Sequence, residues 1–136
     1  MKIIGFNFTK VNVEKESNDF KDLKIESNVD IESVEEAKSD IISKESLIEV
    51  RFRYVISYSP NIAKVDLKGI LLLMVDSKEF KSFMKSWKDK EIFPSEYKVM
   101  LFNVILKKSN IKALQLEDEM GLPLHIPLPT VKDIKK

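Results

Sequence analysis

Chemistry in this chain would have to come from very few groups. The 136 residues include one histidine, His125, and no cysteine, which excludes disulfides, thiol nucleophiles, structural zinc and a Cys-His dyad. His125 lies between prolines with no serine or carboxylate beside it. Acid-base work there would need partners from distant elements, and the plainer expectation is a histidine at the rim of the surface. The acids Glu35-Glu36 and Glu117-Asp118-Glu119 lack the alternating oxygens and turn glycine of a calcium loop and read as solvated faces. Gly5, Gly69 and Gly121 have no spacing that cradles phosphates. No catalytic residue, metal or cofactor is expected, and the chain reads as non-enzymatic.

The groups suited to binding are apolar. Phe80, Phe83, Met84 and Trp87 recur at helical spacing. That stripe is the core face of a helix by default, but aromatics beside a flexible methionine also suit adaptable binding of varied apolar segments. Lys78, Lys81, Lys85 and Lys88 form a basic stripe on the same helix, as on any exposed amphipathic face. The stretch GLPLHIPLPTVK carries Leu122, Leu124, Ile126 and Leu128 at every second position, with Pro123, Pro127 and Pro129 between them. Prolines have no amide hydrogen to give, so this is neither a helix interior nor a central strand. It reads as an extended strip lying along an apolar wall.

Four strands, two helices and this tail are expected to position those groups. Ile4, Phe6 and Phe8 share one face of a first strand, and Val11 and Val13 rejoin it if a bulge falls near Thr9 or Lys10. Leu23, Ile25, Val29 and Ile31 alternate with charged residues in a second strand, and SVEEAKSDIISKES reads as a loop with room for a helical turn. The alternation Ile48, Val50, Phe52, Tyr54, Ile56, Tyr58 predicts a long third strand. The turn SPN then leads into a fourth from Ile62, with Val65, Leu67, Leu71, Leu73 and Val75 on one face. From Ile70 that strand is apolar on both sides, since Ile70, Leu72 and Met74 join the odd-numbered set, so both faces need cover or one is kept for a partner. Asp76 with Glu79 is a capping-box pattern for the first helix. A longer helix opens at Pro94-Ser95, runs through Val99, Phe102, Leu106 and Leu114, and stops at Gly121.

The length fits one α+β domain over residues 1–136, with an antiparallel sheet. Net charge is +1, so no partner class follows from it, yet residues 14–50 hold twelve acids and five bases whereas residues 51–136 hold ten acids and sixteen bases. The longest apolar run, Gly69 to Val75, is far short of the roughly 20 residues of a membrane helix, and a cytoplasmic protein is expected.

In its order of elements the chain resembles the SecB family of export chaperones, including the SecB-like proteins of toxin-antitoxin systems. The likeness runs from about Ile3 to Lys132: a bulged first strand, an acidic second strand, the hairpin IEVRFRYVISYSPN leading into KVDLKGILLLMVD, a short helix, the helix opening PSEYKVMLFNVILKK, and the closing GLPLHIPLPTV. The resemblance implies a four-stranded antiparallel sheet packed with two C-terminal helices, and an ATP-independent holdase acting on unfolded or nascent polypeptides. Dimers pairing into a homotetramer are implied as well. By position, Ile70, Leu72, Met74, Phe80, Phe83, Met84, Trp87, Leu122, Leu124 and Ile126 would line its apolar client groove. A toxin-antitoxin role, a small-ligand carrier and an RNA-binding module on the lysine helix are the alternatives. The closing VKDIKK is basic where export members end acidic.

Overall fold

The computed structural model describes residues 1–38 and 46–133. Four strands, β1 (Lys2–Lys15), β2 (Lys24–Ala37), β3 (Ser46–Ser59) and β4 (Ala63–Val75), precede α1 (Ser77–Lys90) and α2 (Ser95–Glu119). They form one antiparallel sheet in the order β1-β4-β3-β2. β3 and β4 are the expected hairpin and occupy the centre, which explains their apolar, β-branched and aromatic composition. β1 and β2 are the edges, so residues 16–23 cross the end of the sheet. The amides of Glu16 and Ser17 donate to the Ile62 carbonyl at 2.7 and 3.3 Å.

One face of the sheet carries the core. Its rungs are Ile3–Leu73–Ile48, Phe6–Leu71–Val50–Val34, Phe8–Gly69–Phe52–Ile31 and Val13–Val65–Ile56, with Ile48, Val50, Phe52, Ile56, Val65, Leu71 and Leu73 wholly buried. The expected bulge is present between Phe8 and Lys10 and returns Val11 and Val13 to the phase of Phe6 and Phe8. A second irregularity between Ile3 and Gly5 was not foreseen. It turns Ile3 inward and leaves Ile4, expected beside Phe6, exposed. Gly69 is required on this face because a Cβ there would stand 2.5 Å from Phe52 Cζ and 2.9 Å from the Asn7 carbonyl oxygen. The residues expected as a loop after Glu32 are, through Ala37, the continuation of β2: the irregularity between Ile31 and Ser33 shifts phase so that Val34 pairs with Val50 and is buried. The rest of that expected loop, 39–45, lies outside the described residues.

Both helices cover the core face. Asp76 caps α1 as anticipated, accepting from the Glu79 amide at 2.7 Å while the Glu79 side chain accepts from the Asp76 amide. Glu79 also accepts from the Met1 ammonium at 2.8 Å and from Tyr97 Oη at 2.7 Å, tying β1, α1 and α2 together. These bonds, the ammonium's first, hold its carboxyl down at about 2. In α2 the buried stripe is Leu101, Ile105, Ser109, Ala113 and Glu117. Val99, expected on the packed face, is 69% exposed. Apolar residues are spread around this helix, so spacing alone does not mark the inward side.

Candidate functional site

The ten residues expected to line one groove occupy three places. Ile70, Leu72 and Met74 alternate with the inward set of β4, so they lie on the sheet face opposite the helices, partly exposed beside Arg51, Glu49 and Leu47. Phe83 is fully buried against Phe93 and Tyr97, with ring centroids 5.5 and 6.4 Å away, and serves as core. Phe80, Met84 and Trp87 are half-buried at the margin of that core.

The open site is the groove between α1 and the inner side of β2. Val34 of β2, Met84, Lys85, Trp87 and Lys88 of α1, and Glu91 bound an open cavity of about 490 Å³. A narrower cavity of about 140 Å³, lined by Ile31, Trp87, Ile92, Phe93, Lys98 and Phe102, lies beside it and shares Trp87 and Glu91. Phe93 reaches this position because α1 ends at Glu91 in a left-handed conformation (φ 53°), whose amide donates to the Trp87 carbonyl, and the chain turns sharply into Pro94. The floor is aromatic: Trp87, Phe93 and Phe102 stand with centroids 6.4 and 5.3 Å apart. Lys85, Lys88 and Lys98 rim it with charge, so the groove presents an apolar bed and a polar margin.

The tail is a separate construction. Gly121, at φ 64°, ends α2 in a Schellman turn, with the Leu122 amide donating to the Glu117 carbonyl at 2.8 Å and the Gly121 amide to Asp118 at 3.2 Å. The chain therefore doubles back along α2, burying Leu122 among Tyr54, Tyr58, Ile62 and Ala113. His125 is no rim residue: its side chain is 4% exposed and that of Glu117 is 0% exposed. The ring Nδ1 lies 2.7 and 2.8 Å from the two Glu117 carboxylate oxygens, and Nε2 lies 2.8 Å from Asn110 Oδ1. The His125 amide donates to Glu117 at 2.9 Å, Tyr54 Oη donates to Asn110, and Tyr58 Oη donates to the Pro123 carbonyl at 2.6 Å. Burial first, then the neighbouring Glu117 charge, pushes the Tyr58 phenol up. Asn110, Ala113 and Glu117 lie on one stripe of α2, and the small Ala113 leaves room for the imidazole. Sequence reading missed this clasp because its partners are 8 and 15 residues away from His125; the i, i+7 spacing of Asn110 and Glu117 across an alanine was the available signal. Leu124 and Ile126 are half-buried, while Leu128 is exposed. Neither groove cavity is lined by a tail residue.

The outer face is polar over most of its length. Asp66 is buried there beneath Arg53, which donates through Nε and Nη2 at 3.0 and 2.8 Å, and Lys10 at 3.0 Å. The Arg53 bonds, before those of Lys10, hold the Asp66 carboxyl far below the usual carboxylate range.

No family profile and no curated protein matches the sequence. A solved structure does match: the SecB-like chaperone Rv1957 of Mycobacterium tuberculosis, in complex with a ChAD peptide from the HigA1 antitoxin. The TM-score is 0.60 at 14% identity, over 96% of this chain and 87% of that one. The fold is SecB-like. A four-stranded antiparallel sheet with two C-terminal helices is shared across nearly the whole chain. Among the described residues no helix is long and apolar enough to cross a membrane.

Proposed function

We propose that this protein is an ATP-independent holdase that binds unfolded or nascent polypeptide, cytoplasmic and self-associating, without chemistry of its own. The observation that carries the reading is the groove between α1 and β2. It is open, floored by Trp87, Phe93 and Phe102, and its two cavities adjoin at Trp87 and Glu91, which suits an extended segment running from one to the other. Apolar side chains there gain roughly 1.5 to 3 kcal/mol each on burial, without a need for specific hydrogen bonds, which suits clients that share no sequence. The SecB-like neighbour, solved with a peptide, supports a polypeptide occupant. Its antitoxin peptide also favours a toxin-antitoxin setting over export, which a toxin gene beside this one would support. The half-buried Leu124 and Ile126 offer further apolar surface to clients, and the partly exposed Ile70, Leu72 and Met74 offer an apolar face to a second copy.

The buried Tyr54, Asn110, Glu117 and His125 cluster brings polar groups together as an enzyme site would, but it is closed by its own bonds and lines neither groove cavity. The test of the holdase reading is suppression of aggregation of a chemically denatured client, with and without ATP and chelator. Equal suppression in all arms is expected, together with a saturable blue shift of Trp87, the only tryptophan. Undiminished client aggregation at stoichiometric excess contradicts the reading.

A further inference from the structure

Glu117 and His125 are buried titratable groups that the groove leaves unused, and they join the last turns of α2 to the tail that doubles back from Gly121. Each ring nitrogen meets an acceptor. Nδ1 faces both Glu117 carboxylate oxygens, and Nε2 faces Asn110 Oδ1, the same oxygen that accepts from Tyr54 Oη. An imidazole with one proton donates through one nitrogen only, whereas here both are called on to donate. Charge gives the same answer. A carboxylate buried this fully is costly unless a cation compensates it, and among the described residues the His125 ring is the one basic side chain within 4 Å of Glu117. The C-terminal end of a helix disfavours negative charge, yet α2 carries no basic residue in its last turn and Asp118 and Glu119 follow Glu117 directly. A charged His125 supplies the cation that the helix lacks.

From this arrangement we propose that the tail is a proton-operated latch: a doubly protonated His125 locks it to Glu117 at neutral pH, and loss of the ring proton releases it while the sheet and helices stay folded. Closing keeps a proton on a ring that the open, hydrated tail gives up above about pH 6.5, the ordinary value of a free imidazole. The lock therefore contributes in full below that pH, down to the range near about 4 where a carboxylate itself takes up a proton, and it weakens as the pH rises. A neutral ring would turn a lone pair from Nε2 toward Asn110 Oδ1 and leave Glu117 buried without a counter-charge. The neighbouring groups do not titrate in that span. Asn110 has no charge to change, burial raises the Tyr54 phenol, and burial with the Glu117 charge raises that of Tyr58. Release can be local because residues 122–133 form neither helix nor strand. Besides the clasp, the Tyr58 bond to the Pro123 carbonyl and the burial of Leu122 hold the tail. Opening bares Leu122 and the Tyr54 and Tyr58 rings that pack with it.

The single histidine makes the test direct. Nitrogen-15 NMR of the ring in the full-length protein at pH 7 should show both nitrogens protonated. Native-state hydrogen exchange then follows the latch, with protection factors corrected for the pH dependence of the intrinsic exchange rate. The His125 amide, which donates to the Glu117 carboxylate, should lose up to about tenfold in protection per pH unit between pH 7 and 9, the slope of one proton, while the amides of β3 and β4 keep theirs. Glu117→Gln retains an acceptor for the ring but removes the charge, so it should flatten this dependence with the β3 and β4 amides still protected. Should that variant fail to fold, the ring spectrum and the pH slope of the parent protein decide. A ring with one bare nitrogen at pH 7 overturns the latch, as does a His125 amide equally protected at pH 7 and 9. Tail and sheet amides losing protection in step, or a folded Glu117→Gln protein that keeps the parent slope, overturns it too.

Discussion

Replacing His125 by alanine removes the ring that holds the tail against α2. The Glu117 carboxylate is wholly buried and has two donors, the His125 ring and the His125 backbone amide. Alanine leaves it with the amide alone and also empties the contact with the Tyr54 ring, whose centroid is 6.4 Å away. Stripping one partner from a buried charged group costs on the order of 3 kcal/mol. For a domain of this size that corresponds to a fall in melting temperature of about 10 °C, readable by far-UV circular dichroism. Glu117→Leu combined with His125→Leu removes both polar partners, and it should recover most of the loss because apolar replacement of a whole buried pair is close to neutral. A His125→Ala variant within about 0.5 kcal/mol of the parent would refute the clasp, and with it the course of the tail after Gly121.

Four other outcomes are expected. Gly69→Ala should destabilise by about 1 to 3 kcal/mol in chemical denaturation, because the added methyl meets the Phe52 ring and the Asn7 backbone. Asp66→Asn should cost about 2 kcal/mol at neutral pH. The Asp66 carboxyl is lowered in the folded protein, so its contribution is fully present above the unfolded value of about 4 and is lost as pH falls toward the lower folded value; denaturation midpoints of parent and variant should converge in strong acid. Leu124→Ser with Ile126→Ser should weaken the holding of an unfolded client more than it lowers the melting temperature, and added salt should change that holding little. Light scattering should show self-association at micromolar concentration, since Ile70, Leu72 and Met74 lie on a face the helices do not cover; a strictly monomeric mass would count against the family reading.

The sheet was legible because its strands are written in period two, and the hairpin of β3 and β4, the bulge at Thr9 and the Asp76 cap follow from local rules. What failed was phase. One inserted residue at Ile4 and another at Glu32 exchange inward for outward, and alternation counted through them misplaces Ile4 and ends β2 too early. The candidate groove was legible in part: the α1 stripe borders it, but spacing could not distinguish Phe83, sealed beneath Phe93 and Tyr97, from Met84 and Trp87 at the opening. Nor could it show that Ile70, Leu72 and Met74 face away from the helices, or that the tail is anchored by His125. Those placements depend on contacts between residues far apart in sequence.

The account stands on unfolded polypeptide lying in the groove between α1 and β2. A photo-reactive benzoylphenylalanine introduced at Met84, inside the groove, and separately at Met74, on the opposite face, tests this most directly. An unfolded client should cross-link efficiently from position 84 and no more than a folded control protein from position 74. Efficient cross-linking at 74 with none at 84, or equal labelling of folded and unfolded client at 84, would contradict it.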